Sequence, residues 1–212
     1  MPCCPAAAAS ATSPPGWRRR DGAVVNPDLD RARRAVDEYL RAYGLDPADP
    51  TLDRTPDRVA RLGAELFAGV GVDPVPALRD SAVADVEARG PVAFRDVPFR
   101  STCEHHLLKF AGTVSVVYLP GERVAGLGAI VALVETIASR PQVQERFTDE
   151  VALGLEHALG AVGVLVTATA EHDCVAMRGP RIRGASVTTL AARGRYAAEP
   201  AAAEARALVG LG

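Results

Sequence analysis

The sequence contains no long hydrophobic run and no excess of charge of one sign. None of its apolar segments approaches the roughly 18 residues that a transmembrane helix needs, and 24 Lys and Arg residues face 26 Asp and Glu residues, for a net charge of −2. A chain with this balance has no general attraction to nucleic acid or to an anionic membrane, so any anion-binding surface must be local. We therefore expect neither nucleic-acid nor membrane partners.

Cysteine is also scarce, with four residues in 212. Cys3 and Cys4 lie in the N-terminal stretch "MPCCPAAAASATSPPGWRRRDG", whose basic cluster follows its small residues and whose prolines break any helix. This is the wrong order for a secretory signal, so we expect a cytoplasmic protein. Four cysteines would suffice for two disulfides in a secreted domain, but in a reducing compartment Cys103 and Cys174 are better interpreted as thiolates.

The composition predicts one globular domain with less ordered ends, since 48% of the residues are hydrophobic and 24% are charged. No internal repeat is evident. Residues 1–27 are rich in Ala, Pro and Ser and are predicted to be a disordered tail. Residues 28–195 form the predicted domain, and residues 196–212 an Ala-rich C-terminal tail.

Helical spacing of apolar residues predicts an amphipathic helix over residues 28–43, with Gly44 as its stop. A second helix is predicted in "TPDRVARLGAELF". Thr55 is its expected N-cap, and Pro56 takes the first helical position, where its missing N–H costs nothing. Its predicted buried stripe consists of Val59, Leu62 and Leu66.

The remaining segments are predicted as two strands, then two helices, then two further strands. "VAFRDVPF", "GTVSVVYLP", the long "VGVLVTATAEHDCVAMRG" and "ASVTTL" are predicted strands. One helix is expected over residues 127–139, where Pro141 prevents its continuation, and another carries Phe147, Val151, Leu155 and Leu159 before it ends at Gly160. Because helices and strands are grouped along the chain and do not form repeated βαβ units, we expect an α+β domain. Its antiparallel sheet would be backed by helices and preceded by an N-terminal helical segment.

The segment "STCEHHLLKF" concentrates residues with metal-binding and proton-transfer chemistry. Cys103 and His106 are three residues apart, so they share a face only if the segment is bent. His172 and Cys174 are two apart at the end of a predicted strand, which places their side chains on one side. If the two segments meet, Cys103, His106 and Cys174 form a Cys2His set, and three protein ligands leave zinc a fourth position for water.

The two histidines outside that set, His105 and His172, are candidate proton carriers beside the metal, because imidazole titrates near neutral pH. The alternative is that Cys174 is a core residue and the histidine pair a surface turn. The spacing alone leaves this choice open. Glu104 is adjacent to Cys103, which favours a supporting or surface role, and His157 is more typical of a structural histidine.

Four segments in this order, "TPDRVA", "STCEHHLLKF", "RPQVQERFT" and "HDCVAMRG", resemble the GTP cyclohydrolase I family over residues 28–194. The resemblance implies the tunnelling fold (T-fold), a toroidal homodecamer and active sites at subunit interfaces. It implies that Cys103, His106 and Cys174 bind Zn2+ and that the guanine imidazole ring is hydrolysed at C8. His105 would protonate the imidazole nitrogen and His172 would assist later proton transfers. Formate would leave, and ring closure would give 7,8-dihydroneopterin triphosphate.

The resemblance also indicates how a guanine nucleotide would bind. The Glu145 carboxylate can accept hydrogen bonds from guanine N1–H and the 2-amino group, and leaving those donors unpaired would be costly. Gln144 is its expected neighbour on the pocket wall, and both are expected in a loop after Pro141. Considered alone, "QVQER" is equally compatible with a polar helix start. Arg58 and Arg178 match family positions that contact the triphosphate, a task that guanidinium groups suit.

One segment departs from the family. Where the family usually has Ser, Lys and, three residues later, Arg, the chain reads "GLGAIVA", with Gly128, Ala129 and Ala132. Losing two cations at about 1.5–3 kcal/mol per charged hydrogen bond would cost about 3–6 kcal/mol of triphosphate binding, or roughly two to four decades in affinity. Lys109, which stands where the family usually has proline, and Arg123 are candidate replacements.

Three functions are therefore compatible with the sequence. The first is a GTP cyclohydrolase I with a weakened or rebuilt triphosphate site, in pterin or folate synthesis. The second is a divergent enzyme that opens a guanine base, nucleoside or less-phosphorylated nucleotide, with or without pteridine closure. The third, a catalytically silent purine-binding T-fold oligomer, is disfavoured because the histidines and all three metal-ligand candidates are present.

Overall fold

The computed structural model describes residues 26–84, 90–179 and 181–211. The predicted disordered tail, residues 1–27, therefore lies almost wholly outside the described residues. Within the described part, no helix has both the length and the apolar character needed to cross a membrane.

The N-terminal segment is a pair of helices, α1 (Leu29–Ala42) and α2 (Thr55–Leu66), that pack against each other and are followed by α3 (Val75–Ser81). The predicted first helix is confirmed, and Asp28 caps it by accepting a hydrogen bond from Arg31 N at 2.8 Å. The predicted cap of α2 is wrong. Its N-cap is Arg54, so Thr55 is already helical, and no side chain caps this end.

The predicted buried stripe of α2 is also wrong for the single chain. Val59, Leu62 and Leu66 are 41%, 49% and 41% exposed, whereas Pro56 and Ala60 are the buried residues of this helix. Periodicity correctly identified an apolar face, but it does not specify what covers that face. In the described chain, nothing buries it.

The main sheet has five strands in the order β5-β2-β3-β6-β7, and a small antiparallel pair joins β1 to β4. All neighbours in the main sheet are antiparallel except β5 and β2, which are parallel. The α+β prediction with a largely antiparallel sheet is confirmed. The strands are β1 (Val83–Ala84), β2 (Val92–Cys103), β3 (Lys109–Leu119), β4 (Arg123–Val124), β5 (Pro141–Gln142), β6 (Gly163–His172) and β7 (Ser186–Gly194).

Helices α4 (Leu127–Ala138) and α5 (Gln144–Leu159) form the core with one face of the sheet. Phe147, Val151 and Leu155 of α5 are fully buried, as their spacing predicts. Burying each such side chain contributes about 1.5–3 kcal/mol. The α5 helix ends at Gly160, whose φ of 59° is the left-handed conformation that glycine adopts at helix ends.

The long predicted strand is shorter than expected. It ends at His172, and residues 173–176 form a single helical turn, α6 (Asp173–Ala176), which is closed by a hydrogen bond from Met177 N to Asp173 O at 2.9 Å. The prediction of a strand through Gly179 is therefore wrong. This turn determines where Cys174 lies.

Residues 196–212, set apart in the sequence as an Ala-rich tail, include helix α7 (Ala201–Leu208), which packs on the domain. Ala201, Ala202 and Ala205 are buried in a small cluster with Val117 and Leu165, and Tyr196 and neighbouring apolar residues complete it. Because side chains alternate along a strand, Val117 and Leu165 point away from the main core and need a second cover. The short alanine side chains allow α7 to provide it.

Candidate active site

A tight turn joins β2 to β3 and carries the cysteine–histidine segment. The backbone folds back on itself, with Cys103 N donating to Leu108 O at 2.8 Å and Leu107 N to Cys103 O at 2.9 Å. Glu104 N also donates to Gln142 O at 3.0 Å, which ties the turn to β5. The bend predicted from the spacing of Cys103 and His106 is confirmed.

The structure brings Cys103, His106 and Cys174 together, with their ligand atoms within 4.8 Å of one another. Cys103 ends β2, His106 lies in the turn, and Cys174 lies in α6 rather than on a strand. The predicted reason for the position of Cys174 was therefore wrong, although its proximity to the other two was right. The helical turn α6, which follows β6, places Cys174 beside Cys103 and His106.

The donor set of this group fits a zinc ion. Two sulfurs and one imidazole nitrogen are typical zinc ligands at about 2.3 Å and 2.0–2.1 Å, and a tetrahedral site would leave a fourth position. Burial raises the pKa of the Cys174 thiol, and the nearby Cys103 raises it further. A bound cation would offset that repulsion between the two sulfurs. The Cys–His–Cys group can therefore hold a metal ion.

His105 lies beside this group but outside it. Its side chain is 64% exposed, and its Nδ1 lies 3.8 Å from Cys103 Sγ. Its Nε2 lies 4.0 Å from the carboxylate of Glu104, which forms an ion pair with Arg146. Arg146 also donates to Gln142 Oε1 at 2.8 Å and to Pro141 O. Side chains of α5 and β5 therefore anchor the acid that precedes the exposed histidine.

His172 reaches the site from the end of β6. Its ring stacks on Phe110, with centroids 4.9 Å apart and planes 4° apart, because Phe110 and His172 are directly paired between β3 and β6. Its Nε2 lies 2.8 Å from Gln144 Oε1. Burial lowers the pKa of His172, and the charge of Glu145 opposes that shift. His172 and Glu145 are therefore close enough to interact.

Gln144 and Glu145 lie at the start of α5, so the predicted loop after Pro141 is wrong and the helix-start interpretation of "QVQER" is right. Gln144 is buried and Glu145 is exposed. A negative charge in the first turn is stabilised by the helix dipole, which suits a carboxylate acceptor.

The two predicted phosphate contacts differ in their placement. Arg178 is exposed just after α6, and its charge acts on Cys174, so it lies near the metal group. Arg58 is exposed on the first turn of α2, and no contact in the described part of the chain joins it to that group. A single chain therefore brings one of these two arginines to the site.

The segment "GLGAIVA", which lacks the usual family residues, forms the first turns of α4. Gly128 and Ala132 are exposed and Ala129 is half-buried. Of the two candidate replacements, Lys109 lies near the metal group, with Nζ 3.8 Å from the carboxylate of Asp173. Arg123 donates instead to the carbonyl of Arg79.

Two site residues were missed in the sequence, Phe110 and Arg146. Arg146 could have been found, because it directly follows Glu145, the predicted base-recognition residue, in the sequence. Phe110 could not, since its contact with His172 depends on the register of β3 against β6.

The chain is similar over most of its length to one family of known proteins. The model of the family described as GTP cyclohydrolase I matches residues 32–209. The GTP cyclohydrolase 1 of Leifsonia xyli subsp. xyli is 50% identical over 186 residues, covering 87% of this chain and 97% of that protein. The GTP cyclohydrolase 1 of Mycobacterium ulcerans is 47% identical over 85% of this chain and 89% of its own length. The GTP cyclohydrolase 1 of Corynebacterium aurimucosum is 46% identical over 80% of this chain and 86% of its own length.

Among solved structures, the crystal structure of the archaeosine synthase QueF-Like in the apo form matches 51% of this chain and 97% of its own, with a TM-score of 0.42 and 19% identity. The family model and the relatives named above each cover most of the sequence. The chain belongs to the GTP cyclohydrolase I family.

Proposed function

We propose that this protein is a zinc-dependent GTP cyclohydrolase I that converts GTP to 7,8-dihydroneopterin triphosphate and formate. Its family membership makes it an enzyme of the GTP cyclohydrolase I type. The observation that carries the finer proposal is the grouping of Cys103, His106 and Cys174 within 4.8 Å, with two further histidines beside them.

The residues divide the chemistry between them. Zinc held by Cys103, His106 and Cys174 would act as a Lewis acid and lower the pKa of a bound water to about 7. His105, exposed at the tip of the turn, can reach a ligand and donate a proton to the imidazole nitrogen of guanine. His172, held between Phe110 and Gln144, exchanges protons in the later steps.

Glu145 is the proposed base-recognition residue. Its carboxylate is exposed at the start of α5 and lies near enough to His172 to influence it electrostatically. A carboxylate can accept from guanine N1–H and the 2-amino group together. Adenine lacks this pair of donors, so the carboxylate would be left without partners.

The phosphate contacts remain proposals for Arg58 and Arg178, and Lys109 is the additional cation near the metal group. A second candidate function has its own support. The first charged residue of α4 is Glu135, so the segment that usually supplies the family's serine, lysine and arginine has neither cation nor hydroxyl. This favours a divergent enzyme that opens a less-phosphorylated guanine compound.

A homodecamer with active sites between subunits is the proposed assembly. It is supported by the apolar face of α2, where Val59, Leu62 and Leu66 are exposed in the single chain, since such faces mark association surfaces. It also accounts for Arg58, which would reach the site of a neighbouring subunit. Light scattering coupled to size-exclusion chromatography measures the subunit number.

The substrate is tested by incubating zinc-loaded protein with GTP, GMP, guanosine and guanine, while formate and pterin fluorescence are followed. We expect formate and pterin from GTP. Formate from the less-phosphorylated compounds alone, or formate without pterin, would establish the second candidate instead.

A matched variant, Gly128→Ser/Ala129→Lys/Ala132→Arg, restores the usual family residues. A Cβ at Gly128 meets no atom within 4 Å, so that position accepts a side chain. If α4 faces the triphosphate, KM for GTP should fall by roughly tenfold or more, as expected for added charged hydrogen bonds. An unchanged KM would mean that Lys109 or other cations already fill this role.

A further inference from the structure

Gln144 is the first residue of α5, and its side chain is buried against β6 and β7, with only 1% of its surface exposed. Its Nε2 lies 2.9 Å from Ala168 O and 2.9 Å from Val187 O, and 3.2 Å from Thr189 Oγ1. Its Oε1 lies 2.8 Å from His172 Nε2. Both ends of the amide are therefore engaged by the protein itself.

These partners determine which way the amide faces. Backbone carbonyl oxygens can only accept hydrogen bonds, so the group facing Ala168 and Val187 must be the NH2 group. Turning the amide by 180° would place its oxygen against both carbonyl oxygens and lose both bonds. The amide oxygen therefore faces His172.

The orientation of the amide in turn assigns the proton on His172. An amide oxygen can only accept, so His172 Nε2 must carry the hydrogen in their 2.8 Å contact. A neutral imidazole has one N–H, which leaves Nδ1 with the lone pair. Across the described residues, Nδ1 has no hydrogen-bond partner.

Phe110 fixes the other degree of freedom of the ring. Its side chain is fully buried and stacks on the imidazole with planes only 4° apart. The hydrogen bond from one edge and the stacking on one face together restrain both the rotation and the tilt of the ring. Gln144 and Phe110 thus hold His172 in one orientation.

We propose that Gln144 is a positioning residue for His172: it holds the ring in the tautomer protonated at Nε2 and leaves Nδ1 to accept and return protons during the reaction. This inference rests on the proposed role of His172 as a proton carrier. It replaces the expectation that the Gln144 side chain forms part of the pocket wall that contacts the substrate.

The chain offers a matched control in Thr189. Its hydroxyl contacts the same Gln144 NH2 group at 3.2 Å and Thr148 Oγ1 at 2.6 Å, but it does not touch His172. Thr189→Val therefore disturbs the same buried network while leaving both carbonyl acceptors and the contact with His172 intact. Gln144→Met keeps the side-chain length and removes every hydrogen bond of the amide.

The kinetic test compares the two variants with the unmodified enzyme. For Gln144→Met we expect kcat to fall roughly 10–100-fold, less than most of the roughly 10²–10⁴-fold that a proton carrier contributes, because His172 itself is still present. KM should change by less than about threefold. Thr189→Val should keep kcat within about threefold. A raised KM with unchanged kcat in Gln144→Met would indicate direct substrate contact and overturn the proposal.

A spectroscopic test does not depend on turnover. In zinc-loaded protein labelled with 15N-histidine, the four histidines are distinguished with His172→Asn as the assignment variant. We expect the His172 proton on Nε2 and protected from exchange in the unmodified protein and in Thr189→Val, but exchanging rapidly in Gln144→Met. A proton on Nδ1 in the unmodified protein, or an equally protected Nε2–H in Gln144→Met, would overturn the proposal.

The two measurements separate this inference from the proposed function. Absence of formate from every guanine compound, with the His172 proton on Nε2 and dependent on Gln144, would reject the reaction and keep the positioning. Normal turnover with the proton on Nδ1 would reject the positioning and keep the reaction.

Discussion

Replacing Arg140 by methionine tests the most deeply buried charge of the described chain. Arg140 is 1% exposed. Its guanidinium donates to Gly69 O at 2.9 Å, to Val72 O at 2.7 Å and to Glu150 Oε2 at 3.1 Å. It thus joins the segment after α2 to α5. Methionine has a similar length but donates no hydrogen bond, so all three contacts are lost together.

The expected loss in free energy of unfolding depends on the Glu150 carboxylate, which stays buried after Arg140 is replaced. Glu150 is 7% exposed and would lose the cation 3.1 Å away, although Gln142 Nε2 still donates to its carboxylate at 3.0 Å. Breaking a buried ion pair from one side costs about 3–5 kcal/mol, because the remaining charge stays desolvated. In Arg140→Met/Glu150→Gln that charge is gone, so the double variant should recover about 1–3 kcal/mol of the loss.

Thermal unfolding at fixed protein concentration measures these effects, since assembly makes Tm depend on concentration. A loss of 3–5 kcal/mol corresponds to a fall in Tm of about 6–20 °C for a chain of this size. Arg193→Met is the matched control. Arg193 also pairs with two carboxylates, Glu156 at 2.7 Å and Asp149 at 3.3 Å, but is 31% exposed, so its loss should cost less than about 1 kcal/mol.

Equal Tm values for Arg140→Met and Arg193→Met would refute the expected difference between a buried and a partly exposed arginine. A double variant as unstable as Arg140→Met would assign the cost to lost packing or to the two carbonyl contacts, and not to the loss of the cation beside the Glu150 carboxylate.

Three further predictions concern the sheet, the last helix and the metal group. In Gly112→Ala the new Cβ would lie 1.9 Å from a backbone oxygen of β6. The free energy of unfolding should therefore fall by about 3 kcal/mol or more, measured as a lower Tm. In the control Gly128→Ala the new Cβ meets no atom within 4 Å, so the Tm should stay unchanged. The hydrogen bond from Arg206 lowers the pKa of Glu199. This pair therefore stabilises α7 above the ordinary carboxyl pKa and stops doing so as pH falls through the lowered one. Protection of the α7 amides from hydrogen exchange, corrected for the intrinsic exchange rate at each pH, should fall over that acid range in the unmodified protein but not in Glu199→Gln. An equal fall in both would exclude Glu199 as the cause. Cys174→Ala should reduce zinc, measured by elemental analysis, from about one ion per chain to a small fraction while circular dichroism stays unchanged; full zinc content would exclude Cys174 as a ligand.

Local sequence predicted the elements whose own residues form the core. The four-residue spacing of Phe147, Val151 and Leu155 placed α5 and its buried face correctly, and all three are fully buried. The three-residue spacing of Cys103 and His106 required a bend, and the turn is present. Such patterns are reliable because the helical repeat and the reach of short side chains are properties of the local chain.

Predictions failed where the burial or conformation of a residue depends on contacts with distant parts of the chain. Val59, Leu62 and Leu66 form an apolar face, yet nothing in the described chain covers it. The stretch after His172 has strand-like composition, but a hydrogen-bonded turn ends the strand there and moves Cys174 toward the metal group. Gln144, expected in a loop beside the substrate, is instead enclosed by helix and sheet.

Residue types and their order in the chain identify the chemical groups of the candidate site: two cysteines, a neighbouring histidine, two further histidines and the carboxylate of Glu145. This order is specific enough to indicate the family. How these groups face one another depends on the packing of the strands and helices. The antiparallel register sets Phe110 opposite His172, and the start of α5 places the amide of Gln144 against its Nε2. Residue types and spacings belong to the local chain, whereas the proton on a ring nitrogen depends on groups brought close by strands and helices far apart in sequence.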